Sequence, residues 1–302
     1  MDTPRKPDFL IAGMAKCGTS SLAQYLSQHP EVYVCEHKEP RFLSSMAGKF
    51  PEGGPKDHLV KEWYIQNWEE YLELFKDRPE TVVGEASADT LYFYQDTIPV
   101  IKKYLGEPEI IVVIRNPVKR AFSAYQHLVR DQREFLSFED ALKEEENRKN
   151  WELIYHYKQA GLYYDCIKAF KDNFPHVKVV LNENLSKEPS EVVREIFDFL
   201  GVHNYLDVNT NVNYNVSGKP KNQLLHNSLQ GETWLRKAAR PLARALFPSK
   251  EARSTMVNWL SSKNLDRLEM KPETGKELQD FFREDILRTQ DLIQLDLSTW
   301  LK

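Results

Sequence analysis

Two kinds of apolar pattern alternate along the chain. Short continuous runs, mostly β-branched, recur in "DFLIAG", "EVYV", "TVVGEAS", "IIVVIRNP" and "VKVVLNENL". They predict buried parallel strands, because a strand covered on both faces loses the in–out alternation of a half-exposed one. Between them lie segments with apolar residues three and four apart. "TSSLAQYLSQH" lines up Leu22, Tyr25, Leu26 and His29, and "NWEEYLELF", "VKRAFSAYQHLVRD", "SFEDALKEEENRK" and "SEVVREIFDFLG" repeat the helical period. In the last of these Ser190 is placed as the N-cap and Gly201 as the stop. Ahead of "VKRAFSAY", Asn116 is placed as the cap and Pro117 at the first helical position.

Strand alternating with helix predicts an α/β fold, a parallel sheet flanked by helices. Ligands of such sheets bind outside the carboxyl ends of the strands, where Gly13, Glu85, Arg115 and Asn182 are placed. Residues 203–230 are polar and rich in Asn, which predicts a long loop. The stretch 231–302 reads as helical, from "ETWLRKAARPLARALF" to "LQDFFREDILRTQDLIQLDLSTWL". With no internal repeat, the whole of 1–302 is expected to be one domain.

Composition narrows the function classes. The 302 residues carry a net charge of −4, against the basic excess of a nucleic-acid binder, so no nucleic-acid partner is expected. Three scattered cysteines form neither a disulfide framework nor a zinc pattern. No apolar run reaches bilayer length and the N-terminal one is too short for a signal peptide, so a cytoplasmic protein without a transmembrane segment is expected. Oligomeric state is not legible.

The candidate chemistry starts in "FLIAGMAKCGTSSLAQYL". Gly13 and Gly18 have the spacing of a P-loop, but the lysine that should follow the second glycine sits inside the loop as Lys16. A strand, a glycine turn and a helix N-terminus make an anion site, with Lys16 adding a full charge and Thr19 and Ser20 adding hydroxyls. The missing Lys-[Ser/Thr] pair weakens a metal-dependent triphosphate reading. A second element, "IIVVIRNPVKRAFSAY", puts Arg115 at a strand end and Ser123 two turns into the next helix, where they can converge on one phosphate.

Together these segments resemble the sulfotransferase family that uses 3′-phosphoadenosine-5′-phosphosulfate (PAPS), and are similar to its bacterial and carbohydrate-sulfating, heparan-sulfate-type branches. The resemblance runs from Phe9 to the closing "DLSTWL" and implies the sulfotransferase fold, which is P-loop-NTPase-like. It implies that Lys16, Cys17, Gly18, Thr19 and Ser20 bind the 5′-phosphosulfate and that Arg115 and Ser123 bind the 3′-phosphate. "NVSGKPKNQLL" is similar to the family's late basic loop, with Lys221 the better match and Lys219 the alternative. PAPS would be the co-substrate and PAP (3′-phosphoadenosine 5′-phosphate) the product, with no metal.

Sulfuryl transfer to an alcohol needs a proton acceptor and stabilisation of the leaving phosphate. In "CEHKEPRFLS" the residues leave Glu39, Glu36 and His37 open as bases; the resemblance selects Glu39, three residues before Phe42, with Lys16 stabilising the departing side of an in-line displacement. One departure is Ala86, where relatives often carry a lysine. Asn182 stands where some relatives have an aromatic residue near the adenine. The acceptor is expected to be a small molecule or a glycan, by family likeness a sugar. Aromatic residues in "EWYIQNWEEYLELF", "TLYFYQ" and "WELIYHYKQAGLYY" can line an acceptor groove, although their spacing suits packing for most of them. The competing readings are a P-loop kinase or NTPase, with Glu85 holding its metal, and a non-catalytic nucleotide-binding protein on the same fold.

Overall fold

The computed structural model describes residues 5–203, 208–209 and 268–302, and the backbone alone of 219–220 and 265–266. Its centre is a five-stranded parallel sheet in the order β2-β3-β1-β4-β5. The strands are β1 (Phe9–Gly13), β2 (Val32–Val34), β3 (Val82–Ser87), β4 (Glu109–Ile114) and β5 (Val177–Leu181). Ile110 to Ile114 are fully buried, as the unbroken apolar run requires of a strand covered on both faces.

The helices are α1 (Thr19–Leu26), the short α2 (Phe42–Met46), α3 (Asp57–Lys61) and α4 (Trp68–Glu73), then α5 (Tyr94–Tyr104), α6 (Pro117–Arg130), α7 (Phe138–Glu144), α8 (Tyr164–Asn173), α9 (Asn182–Lys187), α10 (Pro189–Phe199) and α11 (Pro272–Ile293). From β1 the chain crosses through α1 to β2 on one side; from β3 it crosses through α5 to β4 on the other. Right-handed crossovers in opposite directions put α1 and α5 on opposite faces of the sheet. Accordingly α1 packs with α10, and α5 packs with α8. The reversal opens a crevice beyond the carboxyl ends of β1 and β4, where Gly13 pairs with Val113.

All five strands read from the sequence are present. Asn116 caps α6, its Oδ1 accepting from the Lys119 amide at 3.1 Å, and Pro117 opens the helix. Ser190 is not a cap: α10 begins one residue earlier, at Pro189, whose fixed φ suits the first turn and displaces the start. Gly201 does close α10, with φ 72°. Glu85 lies inside β3, two residues short of its end, and is buried. Helices α5 and α8 add to the helical segments read above; α5 carries an internal proline, Pro99, which argues against a helix on sequence alone.

By internal contacts the chain divides into two units. The first, Met1–Tyr125, Leu136–Tyr214 and Met270–Lys302, holds the sheet. The second, Gln126–Phe135 and Asn215–Glu269, includes an antiparallel pair, β6 (Lys219–Pro220) with β7 (Leu265–Asp266), and a bond from Gln126 Nε2 to the Leu268 carbonyl at 3.1 Å. Most of the long loop expected at 203–230, Lys221, and the basic residues Arg236, Lys237, Arg240 and Arg244 lie outside the described residues. Among the described residues, no helix is long and apolar enough to cross a membrane.

Candidate active site

The loop after β1 is shaped by backbone conformations that ordinary residues avoid. Lys16 has φ 75° and Gly18 φ 99°. A non-glycine residue in this region costs on the order of 1 kcal/mol and marks a constrained turn. Gly18 is required twice over, since a Cβ there would also sit 2.5 Å from Asn182 Nδ2. At Gly13 a Cβ would meet Thr19 Cγ2 at 2.5 Å, so the strand end and the helix start close tightly. Gly18 is the N-cap of α1 and no side chain caps the helix. The first-turn amides, including those of Thr19 and Ser20, therefore face the crevice as donors for an anion.

Cys17 does not face that crevice. Its amide donates to the Met14 carbonyl at 3.1 Å and its buried Sγ lies 3.8 Å from the Tyr163 hydroxyl. Burial pushes its thiol up, against the pull of Arg120 and Arg115. Cys17 thus shapes the loop that Lys16, half-buried, presents.

Arg115 follows β4 directly and donates from Nη1 to the Lys16 carbonyl at 3.2 Å. The strand-end guanidinium and the lysine loop are brought together. The same residue is held from behind, because its carbonyl accepts from Tyr163 Oη at 2.8 Å. Tyr163 therefore ties β4 to the loop, touching both Arg115 and Cys17. Ser123 lies on α6, nearly buried. Three residues before it, Arg120 is fully buried; its Nη2 donates to the His156 and Tyr157 carbonyls, while Nε and Nη1 have no partner among the described residues.

The "CEHKEPRF" segment runs along the end of β3. Glu36, His37 and Lys38 are exposed and Glu39 is half-buried. Glu39 and Arg41 both adopt positive φ, 59° and 51°. The strain is held by bonds: the Arg41 amide donates to Ser87 Oγ at 3.1 Å, and Arg41 Nε and Nη2 donate to Glu39 Oε2 at 3.0 and 2.7 Å. Both contacts fall on Oε2, leaving Oε1 as the other oxygen. Arg41 also reaches Glu152 Oε1 at 3.1 Å and the Tyr64 hydroxyl at 3.2 Å. Burial alone would lower the Arg41 pKa; the carboxylates of Glu39, Glu152 and Asp89 instead push it well up, so the guanidinium stays charged.

Glu85 lies beneath this loop and accepts from Ser87 Oγ at 2.7 Å. Burial raises its pKa to about 8; the Ser87 bond opposes the shift, and the charges of Asp89 and Glu39 add to it. A carboxyl group buried there and protonated at neutral pH is poorly suited to hold a metal ion, as the kinase reading needs. Asp89 is also buried and pushed up by burial.

Tyr163, Arg41, Glu152 and Ser87 escaped the sequence reading. Arg41 stands two residues from Glu39, a spacing that by itself suits an exposed ion pair as well as a buried one. Glu152 lies 111 residues from Arg41 in sequence, and Tyr163 lies 146 from Cys17 and 48 from Arg115; no local signal marks them. Lys219 is described only by its backbone pairing with Asp266.

The sequence profile of the sulfotransferase family matches residues 7–206, more than half of the chain, and the chain belongs to that family. Heparan sulfate glucosamine 3-O-sulfotransferase 3B1 of Mus musculus is 26% identical over 205 residues, which are 65% of this chain and 46% of that protein. The chain thus spans about half the length of that curated relative. The crystal structure of a sulfotransferase from Alicyclobacillus acidocaldarius is 34% identical, with TM-score 0.75 over 99% of this chain and 100% of that one. Mouse sulfotransferase SULT7A1, solved with PAP, is 16% identical with TM-score 0.52 and shares the fold.

Proposed function

We propose that this member of the sulfotransferase family, an enzyme of the EC 2.8.2 type, moves a sulfuryl group from PAPS to a hydroxyl of an acceptor, a carbohydrate by likeness to its relatives. The observation that carries the reading is the bond from Arg115 to the Lys16 carbonyl. It gathers a strand-end guanidinium, a lysine and an uncapped helix start into one anion-binding crevice. That donor set fits a nucleotide with phosphate at two positions, and needs no metal to neutralise it.

In this reading the Thr19 and Ser20 groups and Lys16 hold the 5′ end. Arg115 and Ser123 hold the 3′-phosphate, with Lys221 or Lys219 added from the late loop. Glu39 Oε1 takes the acceptor's proton as the acceptor oxygen bonds to sulfur; Arg41, fixing Oε2, aims it. The bond from sulfur to the bridging oxygen breaks, and Lys16 stabilises the charge left on the 5′-phosphate. No covalent enzyme intermediate is involved. A cytoplasmic site of action is part of the proposal and rests on three buried, unpaired cysteines.

Calorimetry with PAP, ATP and adenosine 5′-phosphosulfate tests the binding half. PAP should bind without metal, and Arg115→Ala should weaken it about tenfold or more, as loss of a charge-assisted contact does. Preference for ATP with Mg²⁺ would overturn the assignment.

A further inference from the structure

A cavity of about 320 Å³ opens beside the phosphate loop. It joins two segments far apart in sequence: the aromatic run Tyr92, Phe93 and Tyr94 at the start of α5, and Gln159 with Leu162 ahead of α8. Its wall includes Met14, whose carbonyl receives the Cys17 amide inside the Lys16 turn. Among the described residues that line it there is no lysine or arginine. Its two carboxylates already have partners: Asp96 pairs with Lys49 at 2.9 Å, and Asp165 with Arg288 at 3.7 Å. The aromatic hydroxyls are committed too, Tyr92 to His156 Nδ1 at 2.7 Å and Tyr94 to Gln95 at 3.2 Å. The Gln159 side-chain amide, by contrast, has no protein partner among the described residues.

Resting on the sulfotransferase reading above, we propose that this cavity seats the acceptor, and that the acceptor is an uncharged sugar ring, as in a simple neutral glycoside. Among the described residues of the cavity wall a phosphate or sulfate group finds no cation, so that wall suits neither PAPS nor a polyanionic glycan. Aromatic faces stack on the apolar face of a sugar, and an open amide supplies a donor and an acceptor to neighbouring hydroxyls. The volume lies at the small end of the range for ligand sites, roughly 300–1,000 Å³, which suits one ring better than a chain. The charge around Glu39 agrees: Glu39 and Glu152 share one guanidinium, that of Arg41, a surplus of carboxylate that disfavours an anionic acceptor.

The test measures PAP released from PAPS with three acceptors: methyl glycosides of neutral hexoses, 4-nitrophenol, and a sulfated heparan oligosaccharide. Tyr94→Ala and Gln159→Ala are run beside the unaltered protein, with PAP calorimetry to confirm that each variant is folded. Neutral glycosides should be the best acceptors. Gln159→Ala should raise their KM about tenfold with kcat within about twofold, the signature of lost ground-state contact. Preference for the sulfated oligosaccharide or for 4-nitrophenol would overturn the proposal. So would an unchanged KM in both variants, or tight PAP binding with no transfer to any neutral glycoside. Failure to bind PAP at all would instead overturn the sulfotransferase reading, and this proposal with it.

Discussion

Glu85→Gln isolates one buried carboxyl group, and its effect has a worked sign and size. In the folded protein Glu85 keeps its proton up to about pH 8; unfolded, it releases it near 4.5. Between those values folding takes up a proton, so the contribution of this group is fully present below about pH 4.5 and is lost as pH rises through 8. The slope is about 1.4 kcal/mol per pH unit. Glutamine keeps an oxygen for the Ser87 hydroxyl and cannot ionise. From pH 5.5 to 7.5 the variant should therefore gain on the unaltered protein by on the order of 3 kcal/mol, and the gain should level off above pH 8. Asp89 shifts in the same direction in both proteins and cancels in the comparison. Urea unfolding at pH 5.5, 6.5, 7.5 and 8.5 measures the difference. Parallel stability profiles would refute the reasoning, since they would mean that Glu85 titrates alike folded and unfolded.

Glu39→Gln should lower kcat by about 10²-fold or more while leaving PAP affinity within about twofold, measured by turnover and calorimetry; unchanged turnover would remove Glu39 as the base. Gly18→Ala combines positive φ with a clash against Asn182 and should abolish PAP binding, or cost about 1–3 kcal/mol of stability by denaturant titration. Tyr163→Phe deletes the hydroxyl that holds the Arg115 carbonyl and should cost about 1 kcal/mol and weaken PAP severalfold. Arg41→Lys cannot span Glu39, Glu152 and Tyr64 together, and should lower kcat far more than it changes PAP affinity.

The strands and the candidate anion-binding residues are legible in the chain's local pattern. Continuous β-branched runs have one economical burial, inside a doubly covered parallel sheet, so β1 to β5 were legible. Lys16, Gly18, Arg115 and the Asn116–Pro117 helix start were legible because loop and cap chemistry is local: each depends on residues within a few positions. Where local rules competed, as with Ser190 against Pro189, the nearer backbone constraint won. The tertiary structure decided what depends on distant partners. Only folding sets Tyr163 behind Arg115, brings Glu152 to Arg41, and lays Glu85 under the Glu39 loop. Only folding makes Arg41 the buried clamp that fixes one of the Glu39 oxygens. Burial and electrostatics come from the whole packed surroundings of a group, and no window of sequence contains them.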